Sequence, residues 1–382
     1  YISMKKLLFR KFIKDNLKLF IAIIFSIGSI VWVIQSVGFL DIVTEDGHSF
    51  KVYLLYTLFN FPKIIHRILP FIFFISLFYQ IIKYENDNEM LIFWIHGVKK
   101  IQLINIVILY SLFLGLFQIL LGGYISPKGQ DEARSFIRNS NLDFFPSIIR
   151  EGKFVDTVKD LTIFIEKKNA NGDYVNIYLK DDVETDEKGN RSQIIFAKRA
   201  KLINEQNNRY FRLFDGKLIK AENEKINIFE FETINFSLSK YTTKTTTYPK
   251  IQEVSIDILL KCLVYESRNE LYKFTDQDYL GCNPTAIENI KQEVLKRLYM
   301  PIYIPVIALM TCLIIFTSKE SKYYNSLKYL IFGIIFTTIV FSEISLRYST
   351  QNDFGFIFFI LFPILIFFSI YLNLILNSKN KA

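Results

Sequence analysis

The sequence lacks the signatures of self-contained catalysis. It holds no G-x-x-x-x-G-K-[ST] loop to cradle nucleotide phosphates, no H-E-x-x-H, no paired-Cys metal spacing and no G-x-S-x-G elbow. Its three histidines, His48, His66 and His96, are scattered and fall on both sides of the membrane expected below, which leaves no basis for a His-centred active site. The chain is therefore read as not an enzyme by itself, with no cofactor of its own. Any work against a gradient must draw energy from a partner or from ion coupling. Cysteine is also scarce: of three, Cys312 lies within an apolar run, whereas Cys262 and Cys282 fall on the oxidising side and either form a disulfide or stay as free buried thiols.

What the sequence has is apolar length. Residues 19–40, 101–125, 298–318 and 354–377 carry no charge, and each reaches the ~20 residues a helix needs to cross ~30 Å of hydrocarbon. Residues 68–82, short between Arg67 and Lys83, and 329–346, interrupted by Glu343, are counted as spans because flanking cations snorkel and bilayers thin locally. Six spans result, three before and three after a polar block. The first run is far longer than a signal-peptide h-region and no small-residue cleavage site follows it, so it is expected to be retained. Met4 is expected to be the natural start, with Tyr1, Ile2 and Ser3 an extension.

Lys5, Lys6, Arg10, Lys11, Lys14 and Lys18 precede the first span against the single acid Asp15, which predicts a cytoplasmic N-terminus. Lys99, Lys100, Lys319, Lys322, Lys328, Lys379 and Lys381 then fall on the same side, and the polar block falls opposite. The net charge of +9 is thus mostly topological and is no argument for nucleic acid.

The polar block alternates with period two over residues 161–167, 175–181, 193–203, 210–219 and 226–238, separated by turns at 171–173, 187–190 and 215–216. An antiparallel β domain follows. Phe211, Leu213, Phe229 and Phe231 make a second apolar face, read either as an ordinary sandwich core or as an open groove for a lipid chain. Residues 241–250 read as a Thr-rich linker. Residues 283–288 then open a helix, with Asn283 or Thr285 as the cap, Pro284 in the first turn and Glu288 at capping-box spacing; Glu293 and Arg297 can pair four apart on it. The expected organisation is 1–125 for three spans, 126–250 for the β domain, 251–297 for a linker and helix, and 298–382 for three more spans.

Between the second and third spans, residues 84–97 read as a short amphipathic helix, acidic at its start and closed by Gly97 with Lys99 and Lys100. It is expected to present Met90, Phe93 and Trp94 at a membrane-proximal surface, either as a socket for a cytoplasmic partner or as an interfacial helix resting on lipid.

Residues 84–100, with Glu89 eight before Gly97, resemble the coupling segment of the LptF/LptG permease family of the lipopolysaccharide export system. In register with it are Pro127-Lys128-Gly129-Gln130-Asp131-Glu132, Glu151-Gly152-Lys153-Phe154, Phe214-Asp215-Gly216 and the pair Glu293 and Arg297. The resemblance covers nearly the whole chain. Gln130-Asp131-Glu132 and Arg150 to Phe154 look more like LptF than LptG, while the segment 255–282 is longer than the family pattern.

The resemblance implies an α-helical membrane protein of three plus three transmembrane helices with an inserted jellyroll-like periplasmic β domain, in the bacterial inner membrane. It implies an LptG-like partner, an LptB-like ATPase dimer that binds the ATP and Mg, and LptC and LptA receiving lipopolysaccharide. By carry-over, Asp87 and Glu89 with Met90, Phe93 and Trp94 would meet the ATPase. For the lipid, phosphates call for cations above an apolar cavity: the candidates are Ile30, Trp32 and Val33 as walls, with Ser26, Gly28 and Ser29 permitting close helix approach, and Lys51, Lys63, Arg67, Lys128, Arg297 and Arg347 as cations. Arg347 is placed first, as either a phosphate clamp or the partner of Glu343 one turn earlier. Two other classes stand beside this reading. A sensor with an extracytoplasmic β ligand-binding domain would need an output domain or docking tail, and a lipid-modifying membrane enzyme would need clustered acids or histidines at one interface.

Overall fold

The computed structural model describes residues 2–44, 49–139, 151–158, 161–169, 173–183, 191–205, 208–222, 225–238, 249–268 and 282–380. His48, Arg150, residues 171–172 and 187–190 of the expected turns, 241–248 of the expected linker and 269–281 of the long segment lie outside the described residues. The chain divides into two compact units, one made of Tyr1–Ile34, Phe59–Asp131 and Tyr248–Ala382, the other of Gln35–Leu58 and Glu132–Thr247.

Helix α1 (Ile2–Val37) runs well ahead of the uncharged stretch, because the lysines and arginines before it are themselves good helix formers. Beyond a single helical turn, Asp41–Thr44, lie α2 (Phe50–Phe59) and α3 (Phe61–Asn86), the latter started by Pro62 in its first turn. The short second span is thus a full-length helix whose ends carry Lys63, Arg67 and Lys83. Then follow α4 (Glu89–Ile95), α5 (Lys100–Leu120), a π-helical turn over Leu121–Ile125 and α6 (Ser126–Asn139). Beyond the β domain lie α7 (Ile256–Ser267), α8 (Ile287–Leu298), α9 (Tyr303–Cys312), α10 (Tyr324–Tyr348) and α11 (Asp353–Asn380). Six runs among these are long and apolar enough to cross a membrane, three on each side of the sheet in sequence. Pro301 makes a 3-10 turn of Met300–Ile302 between α8 and α9, and a second 3-10 turn, Leu313–Phe316, ends the fourth span.

Asn283 caps the turn before α8, its carboxamide oxygen accepting from the Ala286 N–H at 2.9 Å and from the Thr285 hydroxyl at 2.9 Å. Thr285 therefore supports the cap instead of forming a box with Glu288. Cys262 on α7 and Cys282 before this cap are joined as a disulfide, with Cα atoms 5.9 Å apart. Around it Val254, Leu259, Ile287, Ile290 and Val294 form a small core.

The β domain is one six-stranded antiparallel sheet in sequence order: β1 (Phe154–Val158), β2 (Leu161–Lys168), β3 (Tyr174–Val183), β4 (Arg191–Glu205), β5 (Asn208–Glu222) and β6 (Lys225–Ser237). Five strands match the alternation in the sequence; β1 was too short to show one. The sheet has a bend. Ladder pairing lapses along a single row, Glu166, Asn176, Lys198, Asp215 and Glu232, and inward positions step by three across it: Tyr174 to Ile177, Ala197 to Ala200, Phe231 to Ile234. Asn176 and Asp215 take left-handed φ of 49° and 52°, a conformation open to Asn and Asp. Gly216 follows because a Cβ there would collide with the Phe196 carbonyl and the Phe231 ring. The buried positions of β2 to β6 on this sheet form one hydrophobic cluster. The expected jellyroll-like domain thus takes the form of a bent sheet, with Phe211 and Leu213 in the core and Phe229 exposed. Lys217 and Glu230 pair directly across β5 and β6 at 2.9 Å, and this contact holds the Glu230 carboxyl below its usual range.

Candidate functional site

Residues 84–100 form a hairpin of helices. Helix α3 ends at Asn86, Asn88 reverses the chain with a left-handed φ of 59°, and α4 is closed by Gly97 at φ 68°. The Gly97 N–H donates to Trp94 O at 3.0 Å and the Val98 N–H to Phe93 O at 3.0 Å, the paired bonds of a Schellman motif.

Seven residues are too few for a helix to be stable alone, and packing supplies the rest. Met90 and Phe93 are 1% and 2% exposed, and the Phe93 ring sits 6.3 Å from those of Phe12 and Tyr84. The expectation that Met90, Phe93 and Trp94 face outward is corrected: the first two belong to the core and Trp94 is half-buried. Because the stretch is apolar all round, periodicity gave no way to choose its face. The outward face is Leu91, Ile92 and Ile95, with Asp87 exposed at its head.

Lysines fasten this segment from three directions. Lys11 Nζ of α1 meets Glu89 Oε2 at 2.8 Å, and Lys5 Nζ donates to Gly97 O at 2.7 Å. After the fourth span, the Lys319 backbone N–H donates to Glu85 Oε1 at 3.3 Å and its ammonium to Asn88 Oδ1. Lys100 Nζ donates to Ile315 O at 2.8 Å while lying 5.7 Å from the Trp94 ring and 5.3 Å from that of Phe316.

A second polar cluster joins Lys63, His66 and Arg67 of α3 to Gln130, Glu293 and Arg297 around a cavity of about 30 Å³. This is space for water, not for a lipid headgroup. Arg297, 2% exposed, is the hub: Nε meets Glu293 Oε1 at 2.9 Å, Nη1 donates to Val254 O at 2.6 Å, and Nη2 to Gln252 O at 3.0 Å and Ile251 O at 3.3 Å. Gln130 Nε2 adds a bond to Gln252 O at 3.1 Å. The pairing of Glu293 with Arg297 is as expected. A lipid contact for Arg297 is corrected, since its donors are committed to the turn at 251–254.

Of the other lipid candidates, Ile30 and Val33 are exposed, Trp32 is half-buried, and Gly28 lies against the Phe61 ring. Lys63 is half-buried; Lys51, Arg67, Lys128 and Arg347 are exposed. The Glu343 to Arg347 ion pair is corrected as well: both side chains are exposed and no ion pair joins them among the described residues. An apolar cleft of about 730 Å³ between α5, α9 and α11, walled by Leu112, Leu116, Pro305, Val306, Pro363 and Phe367, left no trace in the linear pattern, because it depends on which helices adjoin.

Six membrane-length helices interrupted in mid-chain by an antiparallel sheet define a multi-pass membrane protein with an inserted β domain. The chain belongs to the lipopolysaccharide export system permease LptF/LptG family, whose model matches residues 10–377. It is also 29% identical over 215 residues to an uncharacterized protein of Rickettsia prowazekii (strain Madrid E), a match covering 55% of this chain and 57% of that protein. The chain thus spans little more than half the length of the curated relative it matches.

Proposed function

We propose that this chain is a permease subunit of an ABC transporter that extracts lipopolysaccharide from the bacterial inner membrane and passes it toward the outer membrane. The observation that carries the reading is the family match over residues 10–377, a range that takes in the six spans, the segment 84–100 and the β domain. The chain's own sequence holds no nucleotide loop, so hydrolysis belongs to an LptB-like ATPase dimer. Asp87, Leu91, Ile92 and Ile95 offer that partner an acidic and apolar face. The lysine asymmetry supports a cytoplasmic location for this face, and with the Cys262–Cys282 disulfide it supports a periplasmic location for the β domain.

The exposed face of the first span, with Ile30 and Val33, is apolar surface that an LptG-like second permease and the lipid acyl chains between the two would cover. Arg347, exposed and without an ion-pair partner among the described residues, is the first choice for a lipid phosphate, with Arg67 and Lys63 behind it. The β domain would then hand lipid to LptC and LptA; the Gln130-Asp131-Glu132 motif favours the LptF role. Depletion of the chain should leave lipopolysaccharide in the inner membrane, and the tagged chain should copurify an ATPase and a second six-span protein. Normal lipopolysaccharide at the outer surface, together with a lone stable monomer on purification, would overturn the proposal.

A further inference from the structure

The fourth span differs from the other five in being held at both ends and along its length. Its membrane-length run, Pro284–Phe316, has 72% of its most apolar stretch buried, against 11–50% for the others. Every residue of α9, Tyr303 to Cys312, is buried, and the helix packs against α3, α5, α10 and α11. No glycine interrupts it between Pro284 and Phe316.

One end is gripped by the docking segment. Lys100, the first residue of α5, donates to the Ile315 carbonyl, where the helix C-terminus favours a cation, and its ammonium lies between the Trp94 and Phe316 rings. Lys319 adds the contacts to Glu85 and Asn88. The other end is gripped through Arg297 by three carbonyls of the turn at 251–254, which Gln130 also holds. Eighteen residues separate Arg297 from Ile315, running through the Met300–Ile302 turn, α9 and the start of the Leu313–Phe316 turn.

We infer that the fourth span is the transmission rod of the permease, with Lys100 the positioning residue that couples displacement of the docking segment to the turn at 251–254. A side chain in a close-packed interior has few alternative positions, so a helix packed against four neighbours, with its Pro305 and Val306 face on the apolar cleft, shifts together with them. A span with one face in lipid can tilt or slide independently. The ammonium of Lys100 acts through Ile315 O. This inference rests on the proposed function, because it requires a nucleotide-driven partner at the docking segment.

The test uses the full chain assembled with its partner permease and ATPase in nanodiscs. Hydrogen exchange is followed at residues 84–98 and 251–254, with and without a non-hydrolysable ATP analogue. The unmodified complex should change at both places. Lys100→Met keeps the aliphatic stem and removes the charge: it should keep the change at 84–98 and lose that at 251–254, and Lys100→Arg should restore it. Lys319→Met, at a half-buried site, removes the ammonium bond to Asn88 and gives a second disruption should Lys100→Met not assemble, and Lys261→Met, at an exposed site, should behave as the unmodified chain. An unaltered response at 251–254 in both disruptive variants overturns the rod and leaves the proposed function standing, as does a nucleotide response confined to 84–98 in the unmodified complex. Failure of any ATPase to assemble with the unmodified chain overturns the function and the rod together.

Discussion

The fourth and first spans are comparably apolar as sequence, yet one has 72% of its core stretch buried within the chain and the other 17%. Hydropathy measures preference for an apolar medium, and lipid and protein interior satisfy it equally. Burial is what separates them. The fourth span is committed, its residues used up by neighbouring helices and its two ends tied by Arg297 and Lys100. The first leaves Ile30, Val33, Ile34 and Val37 exposed. The same division separates the arginines: Arg297 is spent on Glu293 and three carbonyls, while Arg347 is exposed.

The largest effect that could break this comparison belongs to Arg297→Ala. Removing the hub takes the buried partner from Glu293 and one donor from each of the carbonyls of 251, 252 and 254, and breaking such a buried pair costs about 3–5 kcal/mol. Little folded protein should survive detergent extraction in a fluorescence size-exclusion assay, whereas Arg347→Ala should elute as the unmodified chain and lose photocrosslinking to lipopolysaccharide. Equal behaviour of the two would erase the distinction. Next comes the disulfide, which ties α7 to the start of the committed span across 20 residues. Loop-closure entropy assigns it roughly 3 kcal/mol, so Cys262→Ser with Cys282→Ser should lower the thermal midpoint, and two thiols should become alkylatable in the unmodified chain only after reduction.

Within the spans, Leu309→Ala opens a cavity at a fully buried site, with an expected cost of about 2 kcal/mol, the low end for such truncations because lipid is itself apolar. Ile30→Ala should leave the isolated chain within ~0.5 kcal/mol and weaken only copurification of the second permease; a matching loss of stability would mean that the first span is not free. Smallest is Lys11→Ala. The ion pair with Glu89 is partly exposed, so its loss should cost less than about 1 kcal/mol in a thermal melt.

Much of this was legible in sequence. The charge-free runs, the alternation of five strands and the four-residue spacing of Glu293 and Arg297 each express a local rule. A short helix after residue 84 is legible, but not its face, because from Met90 to Ile95 the helix is apolar on every side and no moment selects Met90 and Phe93 for the core. Lys5, Lys11, Lys100 and Lys319 were read as markers of orientation, and each proves also to hold residues 84–100 or the end of the fourth span. The bend in the sheet was hidden because a single row across five strands is not contiguous in the chain. The expected Glu343 to Arg347 pair did not form; helical spacing permits such a pair without requiring it.

The sequence by itself determined that six helices cross a membrane around an inserted antiparallel sheet, because crossing length, charge and period-two alternation act over a few residues at a time. Only the tertiary structure decided which span is the buried centre, which face of the helix Glu89–Ile95 is outward and which arginine is exposed. Those outcomes depend on what each residue finds at distances of 43 to 215 positions along the chain, and an apolar or cationic residue carries no mark of the neighbour it will meet.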